Sequence, residues 1–258
     1  MPETSPDEDP RRRLHAEEWT QAAGHPLRTL VSGRLRAGRP EVLLVPGLGS
    51  VGYLLELLHA CGGWTRATLL DLPGFGQRRT ADAPSDLGTV TARLVEALPA
   101  SPCVLVGHST GTQVAMHAAL DAPERVAALV LVGPTFEPAA RRPGNLLMRH
   151  MRTSAFEPPG QLRYTLPDYV RGGRRFQKYL ASALLDRPEE YISRIQAPVI
   201  VARGRHDHFA SQRWVEDLAG AAANGSTRTL PGAHAVPYNH PGAVALLAGE
   251  AAGAVEAS

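Results

Sequence analysis

Short runs of aliphatic residues alternate along the chain with stretches in which apolar positions recur every three or four residues. The runs are EVLLVPG (41–47), ATLLDLPGFG (67–76), CVLVG (103–107), VAALVLVGP (126–134) and PVIVARG (198–204), and each closes on a glycine or proline turn signal. Runs this short and this uniformly apolar predict strands buried on both faces. Leu27 to Val31 and Ser226 to Leu230 add two further strands. Helical spacing covers Val51–Ala60, Asp86–Leu98, Thr112–Leu120 and Gln212–Ala222. Strand–helix–strand alternation of this kind predicts an α/β protein with a doubly wound, mostly parallel sheet.

The rhythm breaks between residues 136 and 196. That segment has no buried strand and carries short helix-like pieces such as Arg174–Leu185, so it reads as a helical insertion after a strand. Ligands of doubly wound sheets bind at the carboxyl ends of the strands, where such an insertion would act as a lid. The expected organisation is a disordered start (1–22), a core (23–135 and 197–258) and the lid (136–196). The insertion is rich in arginine, which allows an anionic substrate but equally describes a solvated surface.

Composition narrows the field. With 27 Lys and Arg against 25 Asp and Glu, a net charge of +2 gives no footprint for nucleic acid. The charged, proline-rich beginning has no apolar core of a signal peptide, and no apolar run reaches membrane-spanning length, so no membrane partner and a cytoplasmic setting are expected. The two cysteines, Cys61 and Cys103, lack the spacing of a disulfide framework or a zinc site.

The chemistry concentrates at Gly107-His108-Ser109-Thr110-Gly111. This is G-x-S-x-G between a predicted strand and a predicted helix, where two glycines permit a turn tight enough to expose a serine hydroxyl. A serine nucleophile needs a base and an orienting acid later in the chain. Asp207 follows the last clear strand and His234 lies on the PGAH loop. Glu137, just beyond the 126–134 strand, is the fallback acid. His240 precedes Pro241 and reads as a capping residue, and His108 as a packing or pocket residue. His206 and His208 flank Asp207 without the further ligands a metal site needs.

Five landmarks in order, VPGLGS (45–50), DLPGFGQR (71–78), GHSTG (107–111), GRHD (204–207) and PGAHAVPYNHP (231–241), make the chain resemble the α/β-hydrolase fold family. The resemblance implies Ser109 as nucleophile, Asp207 as acid, His234 as base, and an oxyanion hole from the backbone N–H groups of Leu48 and Thr110. It also implies tight turns at Gly74 and Gly76. The expected activity is hydrolysis of a carboxylic ester or lactone of a small-molecule acyl substrate, with no metal or organic cofactor. Thioester hydrolysis, carbon–carbon cleavage of a diketone, and a non-catalytic ligand-binding relative are the alternatives.

Overall fold

The structure, a computed structural model, describes residues 15–71, 86–141 and 143–256. Eight strands form one sheet: β1 (Ala16–Ala22), β2 (His25–Ser32), β3 (Val42–Val45), β4 (Ala67–Asp71), β5 (Cys103–His108), β6 (Val126–Val132), β7 (Val199–Gly204) and β8 (Gly225–Leu230). Their order is β1-β2-β4-β3-β5-β6-β7-β8. β2 runs antiparallel to both β1 and β4, and every other neighbouring pair is parallel. The expected mostly parallel, doubly wound sheet is therefore present.

Alternation along the central strands divides the core in two. Leu43, Leu105, Leu129, Leu131 and Val201 pack on one face with α2 (Leu87–Ala97), α3 (Gly111–Asp121) and α8 (Gln212–Ala221). Val42, Leu44, Val104, Val106, Val130 and Ile200 pack on the other with α1 (Leu55–Gly62) and α10 (Pro241–Glu256). Both faces are covered, which explains why these strands read as continuous apolar runs.

The start of the chain differs from expectation. Residues 16–22 do not belong to a disordered start, because they form β1. Ala23 (φ +49°) and Gly24 (φ +73°) make the two-residue turn into β2, the positive-φ geometry that matches strand twist. β1 is almost wholly exposed, so no alternation of apolar side chains marks it in the sequence. The turns expected at Gly74 and Gly76 lie outside the described residues, as does most of the DLPGFGQR landmark.

Between β6 and β7 the chain forms α4 (Pro143–Ser154), α5 (Leu162–Gly172), α6 (Arg174–Leu185) and the short α7 (Pro188–Tyr191). Two carboxylates tie this helical segment to the core. Asp168, buried in α5, accepts a hydrogen bond from Ser50 Oγ at 2.7 Å. Asp186 accepts from Gln113 Nε2 at 3.0 Å, faces His117 Nε2 at 2.8 Å, and accepts from the Tyr191 hydroxyl at 2.6 Å. Gln113 and His117 lie on α3, so the segment is anchored to the helix that follows the serine. Among the described residues, no helix is long and apolar enough to cross a membrane.

The crossing from β5 to α3 is a tight turn. Ser109 has φ +55°, a left-handed backbone that a non-glycine residue adopts only when its surroundings impose it. Its N–H donates to the Val132 carbonyl at 2.9 Å, and its carbonyl accepts from the Thr112 N–H at 3.0 Å. A methyl group on Gly107 would sit 2.5 Å from the Gly111 carbonyl oxygen, and one on Gly111 would overlap the Val45 carbonyl and lie 2.9 Å from that of Pro46. Gly111→Ala is therefore expected to destabilise the protein by about 1–3 kcal/mol through overpacking. Gly249→Ala, at an α10 position with open space around it, should be neutral or stabilising by up to about 1 kcal/mol. Urea unfolding midpoints of the two variants check both signs.

Candidate active site

Ser109 and His234 line one cavity of about 710 Å³ at the carboxyl ends of the central strands, roofed by residues of α4, α5 and α6. Leu146, Leu162, Phe176, Leu180 and Phe209 give it a mostly apolar wall. Its size suits a small to medium ligand.

Behind the cavity, His234 Nδ1 stands 2.9 Å from Asp207 Oδ2. Asp207 is fully buried in the loop after β7, and its other oxygen accepts the N–H groups of Phe209 (2.8 Å) and Ala210 (3.1 Å). Burial alone would favour the neutral acid, but His234 and these two N–H groups outweigh it and hold the Asp207 pKa below the usual carboxylate value. Burial likewise opposes charging His234, yet the Asp207 carboxylate outweighs it and raises the His234 pKa above that of a free histidine. Glycine at 133, with φ +59°, makes room for the pair: a methyl group there would lie 3.0 Å from His234 Nδ1 and 3.1 Å from Asp207 Oδ2.

The fallback acid is elsewhere. Glu137 pairs with Arg149 and accepts from Ser211 Oγ at 2.5 Å, so it braces α4 against the start of α8 and does not contact His234. His206 stacks on Phe156 with ring centroids 4.4 Å apart. His240 ends the short α9 (Val236–Asn239), its N–H bonded to the Val236 carbonyl. Among the described residues, no group of three or more His, Cys, Asp and Glu is arranged to hold a metal ion.

His108 is buried, and burial drives its pKa down to about 3, so the ring is neutral. Its Nε2 lies 2.9 Å from the His234 carbonyl, which can only accept, so Nε2 carries the proton. Nδ1 then accepts from the Tyr53 hydroxyl at 2.7 Å, and the Tyr53 oxygen accepts the Gly47 N–H at 2.9 Å. This chain of bonds joins the Pro46-Gly47-Leu48 turn to the His234 loop beneath the serine. Tyr53 carries no motif, and nothing in the sequence marks it as part of the site.

The two residues expected to supply oxyanion donors touch through the Thr110 side chain, not through its N–H. Leu48, at φ +46°, points its N–H at Thr110 Oγ1, 2.8 Å away. A methyl group on Gly47 would lie 2.7 Å from Ser109 Cβ, so glycine is what lets this turn approach the serine. The Leu48 N–H expected as an oxyanion donor is thus held by a side-chain hydroxyl in this structure. The sequence also gave no sign of Glu157, which comes from the segment after α4 and accepts the Ala235 N–H at 2.7 Å beside His234.

Comparison with known proteins agrees with this architecture. A segment of polyketide synthase ThaQ from Burkholderia thailandensis is 31% identical over 268 residues, a match spanning 86% of this chain and 13% of that protein. Pimeloyl-[acyl-carrier protein] methyl ester esterase from Vibrio campbellii is 32% identical over 105 residues, 40% of this chain and 41% of the esterase. This chain thus matches less than half the length of either curated relative. The structure of the enol-lactonase from Burkholderia xenovorans superposes with a TM-score of 0.72 at 16% identity, covering 91% of this chain and 99% of the lactonase. The profile of the alpha/beta hydrolase family matches residues 42–246, from β3 to within α10, and the chain belongs to that family.

Proposed function

We propose that the chain is a serine hydrolase that cleaves a carboxylic ester or lactone through an acyl-enzyme on Ser109. The observation that carries this reading is a serine at a strained strand-to-helix turn sharing one apolar cavity with a histidine that is held by a buried aspartate. The similarity to an esterase, and the fold shared with a lactonase, support the same class of reaction.

In this mechanism Asp207 fixes the Nδ1–H tautomer of His234 and leaves Nε2 free as the base. Nε2 takes the Ser109 proton as Oγ attacks the substrate carbonyl carbon. The tetrahedral oxyanion accepts hydrogen bonds from the Thr110 and Leu48 N–H groups, displacing the Thr110 hydroxyl from the latter. His234 then returns its proton to the leaving oxygen, and water repeats the sequence to release the acid. The helices between β6 and β7 serve as a lid, walling the substrate off from water.

Hydrolysis of p-nitrophenyl esters from acetate to decanoate should show a chain-length optimum, and Ser109→Ala should lower kcat by about 10³-fold or more. Asp207→Asn should lower kcat by about 10⁴-fold through loss of the correct tautomer. Only neutral His234 can accept the serine proton, so kcat/KM should fall as pH drops through its raised pKa, above the ordinary value of 6.5. The ascending limb of the pH–rate profile should move to lower pH in Asp207→Asn. A limb that stays in place would separate Asp207 from the titrating base.

A further inference from the structure

The wall of the serine cavity holds one carboxylate and, among the described residues, no arginine or lysine. The helical segment that roofs it carries many arginines, but among the described residues none of them lines the cavity. Arg149 and Arg152 line a separate cavity of about 460 Å³ together with Arg203 and His208, on the other side of Asp207. Arg141 is paired with Glu189, Arg171 with Asp168, and Arg187 with Glu190.

The carboxylate is Glu157. Its Oε1 accepts the Ala235 N–H, one residue from His234, and its Oε2 is buried without a hydrogen-bond partner; burial raises its pKa above the usual carboxylate value, opposed by that N–H and by His234. The other titratable groups on the wall are Tyr53, Tyr169, His108, His150 and His234. Burial keeps both tyrosines in their neutral form by raising their pKa values, and keeps His108 uncharged as well. A carboxylate entering on a substrate would lose its water against the apolar wall and meet Glu157, with no arginine or lysine among the described wall residues to offset either effect. A neutral acyl chain meets neither penalty, and a cationic one is attracted.

We infer that Glu157 gives the cavity a charge preference, admitting neutral and cationic acyl chains and excluding acyl chains that bear a carboxylate. This rests on the reading of Ser109 as the nucleophile of that cavity. It runs opposite to the anionic preference that the arginine content of the insertion would allow. Glu157 makes one structural bond as well, to the Ala235 N–H, so Gln, which preserves an acceptor oxygen, is the replacement that isolates charge.

The test compares three p-nitrophenyl esters of similar length at pH 8: the neutral pentanoate, the anionic hemiglutarate and the cationic trimethylammoniobutanoate. The ratio of kcat/KM between esters within each protein is the readout, so a general loss of activity in Glu157→Gln cancels. The wild type should favour pentanoate over hemiglutarate, and Glu157→Gln should narrow that ratio by about tenfold or more, with the cationic ester moving in the opposite direction. A ratio unchanged by Glu157→Gln, or a wild-type preference for hemiglutarate, would overturn the inference. The same esters titrated calorimetrically into Ser109→Ala should bind in the same order, and equal affinities would also overturn it. Hydrolysis that survives Ser109→Ala overturns the assignment of the nucleophile instead, while a charge ratio that responds to Glu157→Gln would still stand.

Discussion

The site depends on one close approach of backbone to backbone. Where β5 turns into α3, the chain passes so near the loop after β3 that Gly111 lies against the carbonyls of Val45 and Pro46, and Gly47 lies against the Cβ of Ser109. These two glycines make the approach possible, and the surrounding hydrogen bonds hold Ser109 at a positive φ it would not otherwise adopt. The strain has a functional consequence. It places the serine hydroxyl in the cavity, beside the turn whose Leu48 N–H is held by Thr110 Oγ1. Parallel strands on both sides of β5 supply the rigidity that such a turn requires.

Around that turn, polar groups are arranged so that the surroundings of His234 favour its charged form. His108, buried and neutral, acts as a spacer: it donates to the His234 carbonyl and accepts from Tyr53, which in turn receives the Gly47 N–H. His234 faces a buried carboxylate whose remaining oxygen is already satisfied by backbone N–H groups. The environments of the two histidines push their pKa values in opposite directions, the arrangement that separates a structural imidazole from a basic one. Glu137, close to the same strand ends, is taken up by Arg149 and Ser211, which leaves Asp207 as the carboxylate paired with the imidazole.

Much of this was legible in the sequence because it is local. The glycine spacing around Ser109 follows from the sterics of one turn, the central strands from burial on both sides, and Asp207 and His234 from their places just beyond β7 and β8. What was not legible is nonlocal or carries no periodicity. β1 is exposed along nearly its whole length and gives no hydrophobic signal, although its Ala-Gly turn marks it in retrospect. Tyr53 reaches His108 across 55 residues, Thr110 bonds Leu48 across 62, and Glu157 reaches Ala235 across 78, pairings that no single-chain pattern reveals. The arginine count of the insertion was visible, but not the direction those side chains take. Among the described residues, the cavity wall carries a carboxylate and no arginine or lysine.

The central claim is that Ser109 is the activated nucleophile, and covalent trapping tests it most directly. The full chain is treated with a fluorophosphonate, digested, and the adduct located by mass spectrometry. The account predicts a single stoichiometric adduct on the Ser109 peptide, formed more slowly as pH falls through the raised pKa of His234. An unlabelled protein, or an adduct on another residue with Ser109 unmodified, would contradict it.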